Sequence, residues 1–384
     1  MVPDESIFQR ITDARMKSGP KVAVDELVQY LRSQKKFREL FEALKMQSRL
    51  RLGVPAVAME GAQALTIEEQ DLLERDLLRA CREVGLGLLE EGRIEEGWMY
   101  LRPVGDREGA AQALAKIPVD SENLDLMLQI LVHEAVDVGR GTRLSLEHRG
   151  TCNTITMMES IVSMRGRHEQ QQAVAELLRH VHTELLDGMK ADLRRREGKE
   201  PAETSAEAML LARPTWLKDG TYHMDTTHLS STVRFARVLD DKELIAKALD
   251  LTHYGVLLHP QYQYPGDEPF GDLYAMSRAL FQTLLGIHVD PNLKLFLQKA
   301  ESLDMEEHGT VAIETYADLL ARIGRPMEAL HFLLRRMPEG MRPCGIAPSI
   351  LELSAAARDF EPMLKQSSER GDIIGFTAAL ATRP

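Results

Sequence analysis

The 384-residue chain has three cysteines, Cys81, Cys152 and Cys344, far apart and never in CxxC spacing. That excludes a disulfide framework and a cysteine zinc site. No apolar run approaches the length of a membrane span. Basic residues are outnumbered by acidic ones, 47 to 59, for a formal charge of −12. Nucleic acid and anionic membrane surfaces both need lysine and arginine in excess, so neither is an expected partner. The N-terminal MVPDESIFQR is polar and acidic where a secretory signal is basic and then apolar. The expected setting is therefore cytoplasmic, with reduced thiols. Alternating apolar and polar runs flanked by turn residues, the mark of strands, are also missing.

What is present is helical spacing. Leu124, Met127, Leu128 and Leu131 fall at i, i+3, i+4 and i+7. Val174, Leu177, Leu178, Val181 and Leu185 do the same, as do Leu293, Phe296, Leu297 and Ala300, and Ile313, Tyr316, Ala317 and Leu320. Each set predicts one buried stripe on a helix. Thr66 with Glu69 predicts a capping box. Asp290 before Pro291 predicts a cap followed by proline at the first helical position. The fold class expected is all-α, built from stacked antiparallel helical hairpins.

Two stretches match each other. LLEEGRIEEGWMYL (88–101) and LARIGRPMEALHFL (320–333) share L-x3-G-R-x2-E, a small residue, a large apolar residue and a later leucine. Gly92 and Gly324 suit the left-handed residue that ends a first helix. Gly97 and Ala329 are small enough for the second helix to pack closely on the first. A third stretch, FRELFEALKMQSRLRLG (37–53), is related. The pattern resembles the helix–turn–helix unit of tetratricopeptide repeats, without a regular 34-residue period. The resemblance implies a TPR-like α-solenoid that acts as a scaffold or binding surface, with a protein, peptide or small ligand in its groove. It assigns no functional residue. The charged segment 188–207, poor in large apolar residues after Leu193, reads as a helix end and loop. It divides the chain into halves at 1–197 and 206–384 that can still share one continuous solenoid.

Chemistry is expected around YHMDTTHLSS (222–231). As a helix start, Asp225 is the N-cap, Met224 and Leu229 form a hydrophobic staple, and His228 sits at N3. As a metal site, His223, Asp225 and His228, with His259 in preference to His253, supply nitrogen-rich ligands for a divalent ion such as zinc or iron. As an anion site, the helix amides and the hydroxyls of Thr226, Thr227 and Ser230 are donors. Five of the eight tyrosines and four of the twelve histidines lie between Tyr222 and Tyr274. The loop HPQYQYPGDEPFGD (259–272) is expected to bring Tyr262, Tyr264 or Phe270 against 223–228 and form a ligand pocket. Asp267, Glu268 and Asp272 are candidate bases for the alternative function, a metal-dependent, hydrolytic enzyme. Elsewhere, His180 and His182 read as surface or flank residues. Cys152, near His148, reads as a buried thiol beside a Gly150 turn, with a catalytic cysteine as the rival. His133-Glu134 does not extend to HExxH, because residue 137 is Asp.

Overall fold

A computed structural model describes residues 5–383 except 60–64, 219, 265, 267–268, 303, 338–340 and 342. Among the described residues all regular structure is helical and there is no strand. None of these helices is long and apolar enough to cross a membrane. The chain forms two compact units, Met1–Leu144 and Ser145–Pro384. The division falls well upstream of the 188–207 segment at which the sequence suggests one.

In the first unit α1 (Glu5–Ser18), α2 (Pro20–Ser33), α3 (Phe37–Arg51), α4 (Ile67–Glu90) and α5 (Ile94–Leu101) each pack on the next in order. Their shared core includes Val28, Leu31, Leu40, Leu44, Val84 and Leu88. Then come α6 (Arg107–Leu114), α7 (Leu124–Leu128), a single π turn, and the first residues of α8 (Val138–Ser160), which runs on into the second unit and is broken there at Gly150. Thr66 and Glu69 make the expected capping box.

The matched segments are both helical hairpins with their glycine at the turn. At Gly92 (φ +76°) the amide of Gly92 reaches Leu89 O at 2.9 Å and that of Arg93 reaches Leu88 O at 3.0 Å. At Gly324 (φ +81°) the equivalent bonds run to Ala321 O, 3.1 Å, and Leu320 O, 2.9 Å. This pair of bonds closes the last carbonyls of a helix around one left-handed residue. Between α2 and α3 the same two bonds recur around Lys35 (φ +51°), so the turn survives without its glycine. The small residue also does its part: a Cβ on Gly97 would lie 2.8 Å from Leu89 Cδ2 and 2.9 Å from Gly85 O. Gly85 in turn faces Leu101 as well as Gly97. Contacts that run forward on α4 thus run backward on α5, as in an antiparallel pair.

The second unit is organised on α9 (Arg167–Glu197), whose stripe Val174, Leu177, Leu178, Val181 and Leu185 is buried. Around it lie α10 (Ala206–Ala212), α11 (Thr226–Phe235) and α12 (Lys242–Leu257). Then α13 (Leu273–Leu284), α14 (Val289–Ser302) and the short α15 (Met305–His308) lead to α16 (Val311–Arg322) and α17 (Pro326–Arg336). The run ends with α18 (Ile350–Ala357), α19 (Glu361–Arg370) and α20 (Ile373–Thr382). α14 starts at Val289, so Asp290 lies inside its first turn rather than at its cap. Pro291 is still tolerated there because the amides of a first turn have no helical partner.

Candidate functional site

Asp225 caps α11. Its Oδ1 accepts from the amide and hydroxyl of Thr227 at 2.8 and 2.6 Å and from the His228 amide at 3.4 Å. Met224 and Leu229 are both buried, as a staple requires. The hydroxyls offered for an anion are committed to this turn: Ser230 Oγ donates to Thr227 O, and Thr227 faces its cap. Thr226, the first residue of the helix, is half-buried.

His223 points into the unit, and its side chain is 3% exposed. Its Nε2 lies 3.2 Å from Asp192 Oδ2 and its Nδ1 lies 3.1 Å from Tyr254 Oη. Tyr254 Oη also accepts from the His223 amide at 2.8 Å, so its proton is available to Nδ1. That assigns the neutral tautomer with the proton on Nε2, donated to Asp192. Burial pushes the imidazole below its ordinary pKa and outweighs the nearby carboxylate. The ring packs against Trp216, centroids 4.6 Å apart.

Asp192 on α9 is the hub. It accepts from Trp216 Nε1 at 2.9 Å, Arg195 at 2.7 Å and Arg196 at 2.7 Å, besides His223. Burial alone would raise its pKa, but the donors and the Arg196 charge hold it well below the usual carboxylate range. Close approach of the 223 segment to α9 depends on Gly188, where a Cβ would come 2.5 Å from His223 O. In the sequence Asp192 is inconspicuous, because it sits in a charged run that looks solvated. The one local signal is its spacing from Arg195 and Arg196, i+3 and i+4 on a helix.

The four expected metal ligands do not form one set. His223 is engaged at both nitrogens, Asp225 faces the α11 amides, and His259 Nδ1 accepts the Gln261 amide at 3.4 Å. His228 Nδ1 is buried without a hydrogen-bond partner. Among the described residues no three His, Cys, Asp or Glu side chains group so as to hold an ion. The 259–272 loop splits in two. Tyr262 packs on Tyr222, next to the expected segment, with centroids 4.9 Å apart. Phe270 instead joins Phe296 on α14, 5.8 Å away, and Tyr264 is 45% exposed. Asp272 caps α13 through the Ala275 amide. Asp267 and Glu268 lie outside the described residues.

Two expectations are corrected nearby. His182 is not a flank residue: its side chain is 13% exposed and its Nε2 lies 2.9 Å from Asp250 Oδ2. Asp250 also accepts the Ala206 and Glu207 amides at 2.9 and 2.8 Å, capping α10 from α12. The sequence hid this because His182 and Asp250 meet only in space. Cys152 is exposed rather than buried: beyond Gly150 the buried face of α8 is Thr154, Ile155 and Met158, and Cys152 falls on the opposite one.

No family model, curated protein or solved structure matches this chain.

A second place in the same unit has the form of a binding site. A cleft of about 790 Å³ is lined by the start of α12 (Lys242, Ile245), Leu284 of α13, and the end of α16 with its Gly324 turn. Pro326, Pro348 and α18 (Glu352, Leu353, Ala356) complete the lining. Its inner wall is a four-residue ionic network. Arg322 Nε lies 2.9 Å from Asp240 and its Nη1 lies 3.2 Å from Asp318. Arg167 contacts Asp318 at 3.0 Å and Asp240 at 3.3 Å. Arg322 also donates to the carbonyls of Arg237 and Leu239, which fixes the turn after α11. Burial would raise the Asp240 pKa, but Arg167 and Arg322 bring it below its ordinary value. Every carboxylate on this wall is thus neutralised by an arginine. Asp318 and Arg322 are an i,i+4 pair on α16, but Arg167 and Asp240 come from distant positions, so no local motif announces the network as a whole.

Proposed function

We propose that this chain is a TPR-like helical-hairpin binding protein whose ligand is a short peptide held in the cleft between α12, α16 and α18. The reading rests on the composition of that cleft. The floor is apolar, from Ile245, Leu284, Leu353 and Pro326, and the wall ions are paired with one another. Lys242 and Glu352 are exposed lining residues of opposite charge, the Glu352 carboxylate also closing the α18 capping box with Ser349. A cleft of this size, with apolar residues beside a wall of charges already paired with one another, suits a few residues of peptide. The left-handed turn of the repeat-like motif, Gly324, forms part of the lining, so the scaffold pattern and the site coincide.

The test is retention of peptides from a random library by the full chain, compared with Ala356→Trp. Ala356 is exposed and lines the cleft, so the indole occupies the space without disturbing the core. Retained peptides are expected to lose about tenfold or more in affinity, equal to about 1.4 kcal/mol, with Tm unchanged. Equal binding to both proteins refutes the reading.

A further inference from the structure

α20 reads IIGFTAALAT and contains no charged side chain. Phe376 and Ala379 on its inner face close over Phe360, Met363 and Leu364 of the α18–α19 region. Its other face is open: Ile373 is 78%, Ile374 84% and Leu380 51% exposed. With the exposed Thr377 these residues fall at i, i+1, i+4 and i+7, a single stripe along the helix. An exposed, uncharged helix face with large aliphatic side chains at both ends has the character of a contact surface. Charge selects the occupant. The stripe itself offers nothing to a charged partner, whereas its two ends carry opposite charges, Asp372 before the helix and Arg383 after it.

We propose that the outer face of α20 is the surface through which two copies of this chain associate, with the two helices antiparallel across a two-fold axis. A two-fold contact needs a patch complementary to itself. The uncharged stripe meets that condition, and the antiparallel arrangement sets Asp372 of each copy opposite Arg383 of the other. The spacing suits this, because a ten-residue helix is roughly 15 Å long and the two charges bracket it. Opposed helix dipoles add to the same preference. Arg383 now contacts Glu361 at 2.8 Å in a pair whose side chains are 51% and 69% exposed. Such a pair gives way readily to a better one.

The test is sedimentation velocity on the full chain over a wide concentration range. The expected result is a reversible dimer that weakens about tenfold or more in Ile373→Glu/Ile374→Glu, since the stripe would then bury carboxylates. Both side chains are exposed, so the variant should keep its circular dichroism and Tm. Arg383→Glu should weaken the dimer and reverse its salt dependence, by placing two acids at each end. A wild-type chain that is monomeric throughout overturns the proposal, and so does a dimer that the double variant leaves intact.

Discussion

Replacing Asp192 with alanine is the sharpest test of how the 223 segment is held. The carboxylate has four side-chain donors, and they are unequal. Arg195 and Arg196 are 78% and 43% exposed and can turn to water, so their loss is worth about 0–1 kcal/mol. Trp216 and His223 cannot turn. Trp216 is 6% exposed overall and the His223 side chain 3%, so each would keep a buried N–H without an acceptor. An unmet buried donor costs about 1–3 kcal/mol, so the two together put the loss near 4 kcal/mol. Asp192→Asn keeps one carbonyl oxygen at nearly the same place and should cost about half as much. Equilibrium urea unfolding measures both, with an unchanged m value showing that the midpoint shift is stability. Trp216→Phe removes one donor in advance, so in that background Asp192→Ala should cost less, a coupling read by the double-mutant cycle. A loss below about 1 kcal/mol for Asp192→Ala, or strict additivity with Trp216→Phe, would refute the assignment of Asp192 as the hub.

Asp225→Ala should lower stability by about 0.5–2 kcal/mol through loss of the α11 cap, measured in the same unfolding assay, with Asp225→Asn recovering most of it. The pH dependence has a definite sign. His223 is depressed below its usual 6.5, so between that value and its folded pKa the unfolded chain binds the extra proton. Its contribution is complete above about pH 6.5 and declines as pH falls through that window. His223→Gln should therefore flatten the stability curve just below pH 6.5. A slope unchanged from wild type would show that the imidazole is not held neutral.

Hairpins were legible because they rest on short-range rules. Gly92 and Gly324 sit where a left-handed turn was expected, and Thr66 and Asp225 cap the helices they precede. Those features need only residues a few positions apart. Asp192, His182 and the Arg167–Asp318–Arg322–Asp240 wall depend on chain segments that meet in three dimensions. An acidic residue in a charged run looks the same whether water or a buried tryptophan lies across from it. The aromatic enrichment between 222 and 274, expected to line a ligand pocket, instead shows ring contacts at two separate places. Its members were divided between Tyr222–Tyr262 and Phe270–Phe296 because the loop has two anchor points.

The clamp of Asp250 on α10 has a consequence for how that helix comes into being. Seven residues are too few for a helix to persist alone in water. The Ala206 and Glu207 amides are satisfied by a carboxylate more than forty positions later in the chain. During synthesis α10 gains these two bonds only after α12 has emerged and docked. Hydrogen exchange at those two amides then acts as a clock on assembly of the second unit, slow only once its distant parts have met.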